Sequence, residues 1–444
     1  MLSFLIASVQ LNPQLDAVLN DPRLKGCTVG AVVLDEKGNR IFSRNSDIRV
    51  APASCEKIFT CIYALDQLGP DATIKTRFWK TPEGIVVDAP GDPTITYQKL
   101  KDAKQALGIT GPTPVFVNQA YRVGIPPTWE WDDLPWDYAA PVTAFSFDNA
   151  SFQVWSDGKK LYFPIAELGI KINHRRQTGK FAVKYNRWSK ELDFSGPVPG
   201  DKKKIEDFAQ TEPDVTGAKI IGGIYRTFEG DLPTREPDYT ITSVPVRQLV
   251  KDCLEPSDNI YAEHLLLSTG ASKSPLDEDA YPDAAKRMRD FWISKGLNEE
   301  EFRPVDGSGM SRHNLVTANA LVQALRYGDQ QAYSADLTTG LAAPGEGTLR
   351  SRLKTVNFVG KTGTLNAVSS LSGLLNPGKP NKRYVSIVMN GSVGSSSILR
   401  EIQDRFIRAL QEQDKTNEHN EARPNATRRP ANKNDRHSHG NRVH

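Results

Sequence analysis

The stretch Ala51–Leu68 constrains this chain more than any other. Ile58, Cys61, Ile62, Leu65 and Leu68 recur at helical spacing, which predicts a helix buried along one side. Pro52 suits the entry to such a helix. Ser54 then falls in the first turn with Lys57 three residues on, so hydroxyl and amine stack on one face. A helix start offers free N–H groups and a positive dipole end, both suited to an anionic transition state. Burial favours a neutral amine, which can take the serine proton. The arrangement suits an activated nucleophile that needs no histidine, with an ordinary helix start as the plain alternative. Two other Ser-x-x-Lys spacings read differently. Ser156–Lys159 looks like a turn between apolar runs, and Ser351–Lys354 like a charged surface stretch.

Such a helix needs a core around it, and 444 residues suffice for two or three domains with substantial ones. The net charge of +3 is near balance, so nothing global points to nucleic acid. Cys27, Cys55, Cys61 and Cys253 lack C-x-x-C or zinc spacing and read as buried thiols, with one disulfide as the alternative. Met1–Val9 is apolar but far too short to span a bilayer, and it lacks the basic start of a secretory signal. It reads as a clipped signal remnant or as the first turns of a docking helix.

Residues 27–44 read as strand, turn and strand, a hairpin leading into the Ser54 helix. Residues 81–235 change texture and predict an inserted α+β domain, mostly sheet. Its strands are expected at Gly84–Val87, Val115–Asn118, Phe152–Trp155 and Phe181–Tyr185, and a helix at Gln98–Leu107. The basic run from Lys159 to Lys190 reads as solvated strand faces, with a patch for an anionic polymer as the alternative. Helical patterning returns over Val244–Gly270, Ala280–Lys295 and Thr317–Tyr327. Thr355–Gly360, Ser369–Leu375 and Tyr384–Met389 are strand-like, and Ile398, Ile402, Phe406 and Leu410 mark a final amphipathic helix. The polar chain beyond about Gln413 reads as a disordered tail. The expected layout is a discontinuous unit, 10–80 with 236–412, interrupted by 81–235 and followed by 413–444. Its fold class is α/β of the α+β kind: an antiparallel sheet flanked by helices, with a mostly-β insertion.

Three further stretches carry chemistry. Ser257-Asp258-Asn259 follows Pro256 at a loop or helix start, where a capping role is the plain alternative. Lys361-Thr362-Gly363-Thr364 follows the apolar run Val356–Val359. Glycine there allows close backbone approach, and a neighbouring N–H can join that of Ser54 in an oxyanion hole. A bulged edge strand with a surface lysine is the alternative. Asp306–Arg312 is a glycine-rich loop without the spacing of a nucleotide site. The order Ser-x-x-Lys, Ser-x-Asn, Lys-Thr-Gly is far more specific than any one member.

That order, with Gly91-Asp92-Pro93-Thr94, Trp129-x-Trp131-x-Asp133, Tyr138–Val142 and Asp306–Arg312, resembles the low-molecular-mass class C penicillin-binding proteins. These are serine D-Ala-D-Ala carboxypeptidases and endopeptidases, and the likeness runs to about residue 410. The family inserts its extra domains between the first and second motifs, where 81–235 lie. The resemblance implies that Ser54 attacks the carbonyl between two D-alanines with Lys57 as base. It implies that Ser257 relays a proton, Asn259 holds the substrate amide, and Lys361 and Thr362 engage the terminal carboxylate. The N–H groups of Ser54 and Thr364, beside Gly363, would form the oxyanion hole. Positions matching Asp133, Tyr138, Arg312 and Asn366 would line the pocket for the stem peptide's side chain. No metal and no cofactor are implied.

The implied partners are peptidoglycan peptides, β-lactams as covalent inhibitors, and peripheral contact with membrane or wall. The implied place is periplasmic or otherwise extracytoplasmic. Glu56 departs from the expected pattern, because a nearby carboxylate favours a charged Lys57. A catalytically impaired wall-binding relative is one rival reading. A β-lactamase or esterase on the same scaffold is another.

Overall fold

The computed structural model describes residues 12–421, apart from 201, 273, 274, 277 and 278. The expectations for Met1–Val9 and for most of the polar tail lie outside the described residues.

Five strands form one antiparallel sheet in the order Phe358–Leu365, Val368–Leu375, Arg383–Asn390, Thr28–Asp35, Arg40–Arg44. The early hairpin therefore completes a sheet begun by the late strands, with Thr28 opposite Asn390 and Asp35 opposite Arg383. Alternate residues face opposite sides of a strand. Ala31 and Val33 join a core with Leu15, Ile402 and Phe406, under the helices Pro13–Leu19 and Ser396–Glu421. Val32 and Leu34 join the larger core on the other face.

That larger core surrounds the helix Lys57–Leu68. A stripe was expected, but Lys57 through Leu65 are all buried, and Leu68 only partly. The helices Val246–Leu254, Asn259–Ala271, Ala280–Ser294 and Ala318–Asp329 enclose it, which is why it is apolar nearly all round. Its start also differs from expectation. Ser54 lies in a 3₁₀ turn, Ala53–Glu56, and Lys57 opens the α-helix proper.

Between Lys75 and Thr242 lie further sheets among the described residues: a mixed five-stranded one, two of three strands and one of two. The expected strands appear as Gly84–Ala89, Thr113–Gln119, Ser151–Ser156 and Ala182–Asn186, and the expected helix as Tyr97–Ala106. The basic run carries acids among its bases. Lys171 faces Glu191, Arg175 pairs with Asp193, Lys190 pairs with Glu212, and Arg187 is buried. Lys159, Lys160, Arg176, Lys180 and Lys184 are exposed, as solvated strand faces would have them.

Two boundaries moved. The strand expected at Thr355–Gly360 begins at Phe358 and ends at Leu365, so Lys361–Thr364 lie inside it. Its second half carries polar residues because it faces the Ser54 turn, which hides it from an apolar pattern. The last helix continues to Glu421, past Gln413. Gln413 bonds Asn12 at 2.7 Å, and Asp414 bonds Arg383 at 3.1 Å, so polar contacts replace apolar ones there. Cys55, Cys61 and Cys253 are buried free thiols, and Cys27 is half-buried. Among the described residues, no helix is long and apolar enough to cross a membrane.

Candidate active site

The three motifs meet in one open cleft of about 640 Å³. Ser54, Ser257, Asn259 and Thr364 form its floor, and Asp133, Tyr138, Arg312 and Asn366 its wall. Lys57, Lys361, Thr362 and Gly363 are buried just behind those residues.

Ser257, and the residue just before Ser54, sit on backbone that L-residues avoid. Ala53, before Ser54, has φ 49°, and Ser257 has φ 71°. Such conformations persist only where the surroundings over-determine them, and they cluster at functional sites. Asp258, not Ser257, caps the helix Asn259–Ala271: its carboxylate accepts the N–H of Tyr261 at 2.9 Å. The Ser257 hydroxyl is thereby left for the cleft.

The amine of Lys57 has three partners. Its Nζ lies 2.9 Å from Ser54 Oγ, 2.7 Å from Asn259 Oδ1 and 2.8 Å from the Ser308 carbonyl. Asn259 Oδ1 and the carbonyl are acceptors only. A neutral amine donates its two protons to them and turns its lone pair to Ser54 O–H. Burial pulls Lys57 below the ordinary lysine range, against the pull of Glu263 and Asp306. Asn259 is oriented in turn, its amide donating to the Tyr138 carbonyl at 2.9 Å.

Lys361 lies 2.7 Å from Ser257 Oγ and 2.8 Å from the Thr362 carbonyl. Burial, then the charge of Lys57, lower it to about 7. Two buried amines sharing one site do not both hold a proton cheaply.

Gly363 lets its strand approach the nucleophile. A Cβ there would stand 2.2 Å from Ser370 Oγ, 2.7 Å from the Pro52 carbonyl and 3.0 Å from the Ser54 N. Ser370 itself donates to the Pro52 carbonyl at 2.5 Å. This edge strand shows no bulge against its neighbour.

Sequence reasoning missed the device that sets Ser308. Glu263 accepts the N–H of Gly307 and of Ser308, each at 2.9 Å. Asp306 accepts those of Gly309 and Ser311, and Trp129 Nε1–H at 3.0 Å. Gly309, at φ 83°, has no room for a Cβ against the Ala53 carbonyl. A glutamate inside the apolar run Ile260–Leu267, one turn after Asn259, was the available signal. Burial and the charge of Asp306 push Glu263 up to about 8.

Glu56 is not the anion its place in the motif suggests. Its carboxyl is fully buried with no hydrogen-bond partner among the described residues. Burial, then Asp306 and Glu263, hold it far above the ordinary carboxyl range, so it stays neutral beside Lys57. On the cleft wall, Tyr138 donates to Asp133 at 2.8 Å, and Arg312 pairs with Glu130.

An antiparallel sheet flanked by helices, with these three motifs on one cleft, defines a penicillin-binding serine hydrolase. The chain belongs to the D-Ala-D-Ala carboxypeptidase 3 (S13) family, whose sequence model matches residues 11–166 and 234–413. It is a peptidase. It is similar to the D-alanyl-D-alanine carboxypeptidase of Actinomadura sp. (strain R39), at 25% identity over 88% of this chain and 82% of the relative. It is also similar to D-alanyl-D-alanine carboxypeptidase DacB of Haemophilus influenzae, at 24% over 83% and 87%. The crystal structure of penicillin-binding protein 4 from Haemophilus influenzae shares the fold, with a TM-score of 0.72 at 21% identity, covering 90% of this chain and 98% of that one. A complex of that protein with a β-lactam gives 0.70.

Proposed function

We propose that the protein is a serine D-Ala-D-Ala carboxypeptidase acting on peptidoglycan stem peptides, with D,D-endopeptidase action on crosslinks open to the same cleft. One observation carries this reading: Lys57 Nζ has two pure acceptors and, 2.9 Å away, the Ser54 hydroxyl. Ser54 Oγ attacks the carbonyl between the two D-alanines as its proton passes to Lys57. The N–H groups of Ser54 and Thr364 receive the oxyanion. Ser257 relays a proton to the departing amine. Lys361, reaching the cleft through Ser257, and Thr362 meet the terminal carboxylate. Water then cleaves the acyl-enzyme. Asn259 acts here by orienting Lys57 as well as by meeting the substrate amide. Asp133, Tyr138, Arg312 and Asn366 receive the side chain of the stem residue before the D-alanines.

β-Lactams acylate the same hydroxyl in this reading. The substrate places the protein outside the cytoplasm, in a periplasm or its equivalent, in peripheral contact with wall or membrane. The catalytic unit comprises 10–80 and 236–412, with 81–235 inserted. The raised titration of Glu56, from burial first, favours an active enzyme over an impaired relative.

Incubation with a fluorescent penicillin, followed by peptide mapping, tests the reading. Label on Ser54, with D-alanine released from a synthetic pentapeptide and lost in Ser54→Ala, is expected. Absence of label at saturating dose refutes it.

A further inference from the structure

None of these steps uses a pair of tryptophans beside the cleft. Trp131 and Trp188 are 69% and 58% exposed. Their rings stack with centroids 5.4 Å apart and planes 19° from parallel. Large aromatic faces left open to water together are uncommon and mark binding surfaces.

The pair is fixed from beneath. Trp131 opens the turn Trp131–Asp133, whose flanking Glu130 and Asp133 line the cleft. Trp188 comes from the turn between strands Ala182–Asn186 and Glu191–Ser195. Asn186 Oδ1 closes that turn by accepting the N–H of Trp188 at 3.0 Å. The buried Arg187 joins the two turns. It donates to the carbonyls of Leu134 and Gln210, at 2.9 and 3.4 Å, and lies 5.2 Å from the Trp188 ring centroid. The platform is thus preorganised, and Trp131 lies in sequence between two residues that line the cleft.

From this geometry we infer that Trp131 and Trp188 form a saccharide subsite for the glycan strand from which the stem peptide hangs. The inference rests on the peptidoglycan reading above. A pyranose ring offers a flat face of C–H groups and a rim of hydroxyls. An indole face suits the first. The exposed carboxylate of Asp132, between Trp131 and Asp133, suits the second. The reach also fits. In a pentapeptide ending in D-Ala-D-Ala, the residue held by Asp133 and Tyr138 is the third. Two residues then separate it from the sugar, three chain steps or about 11 Å of extended chain at most. Trp131 stands two residues from Asp133 in one turn.

The test compares one pentapeptide free and joined to its disaccharide, with wild type, Trp131→Ala, Trp188→Ala and Trp131→Tyr. The alanine variants are expected to raise KM for the glycan-bearing substrate about three- to tenfold and to leave the free pentapeptide unchanged. Trp131→Tyr, which keeps a ring face, is expected to restore most of the loss. Equal effects on both substrates, or none on either, overturn the inference. So does a concentration-dependent dimer that the alanine variants abolish, since a second copy would then cover the pair. If wild type cleaves neither substrate, the carboxypeptidase reading fails, and binding still decides this one. Quenching of tryptophan fluorescence by the disaccharide-pentapeptide in Ser54→Ala must then disappear with Trp131→Ala added, or the inference falls.

Discussion

Lys57 and Lys361 differ from Lys171, Arg175 and Lys190 in one respect: the first two are wholly buried, and the others reach water, Lys171 and Arg175 over most of the side chain. The residue types are similar and the chemistry is not. Burial makes a charged amine costly, so the buried pair is pulled toward neutrality and toward reactivity. The other cations pair with acids, and solvent screens those pairs. A basic cluster in a sequence therefore says little until its burial is known.

That contrast is broken or sharpened by substitution. Lys57→Met is expected to slow penicillin acylation about 10²- to 10⁴-fold, the range for loss of a positioned base. A near-normal labelling rate would place the base elsewhere. Gly363→Ala pushes its strand off the Ser54 turn and is expected to cost about 10²- to 10³-fold in kcat, as for a displaced oxyanion donor. An unaltered kcat with pentapeptide would show that the strand has slack.

Lys361 makes a prediction in pH. Folded, it titrates near 7, and unfolded near about 10.4. Above 7 the unfolded chain binds the extra proton, so this group adds stability as pH rises from 7 toward 10, by at most about 1.4 kcal/mol per unit. Over the same range the cleft loses its cation, and kcat/KM for a substrate with a free carboxylate is expected to fall. Denaturant midpoints at pH 7 and 9, flattened by Lys361→Met, check the first. The alkaline limb of the rate profile checks the second.

Glu56→Gln is expected to change kcat/KM less than about threefold and leave the acid limb in place, because the carboxyl is already neutral. A marked shift of that limb would reveal an ionised Glu56. Smallest of all, Arg175→Ala is expected to move the melting temperature less than about 2 °C and leave turnover unchanged.

The hairpin, the late strands and most helices were legible because apolar periodicity records burial. Leu249, Val250, Leu254, Leu265 and Leu266 are all buried as their spacing implied. The Ser54 turn was less so: a single Ser-x-x-Lys does not tell a 3₁₀ entry from an α-helical one. The strand carrying Lys361 was placed early, because its polar half faces the nucleophile. The Ser308 carbonyl was invisible, since a backbone acceptor has no signature in residue type, and Glu263 showed only as a lone acid in an apolar run. The platform of Trp131 and Trp188 joins turns 57 positions apart, and no local pattern records that.

The helix Ser396–Glu421 begins on the rim of the cleft and ends far from it. At 1.5 Å per residue its 26 residues run about 39 Å. Cargo fused behind Glu421 would leave the molecule at the distal end of that rod, clear of incoming polymer. A surface tether attached there would present the reactive mouth outward.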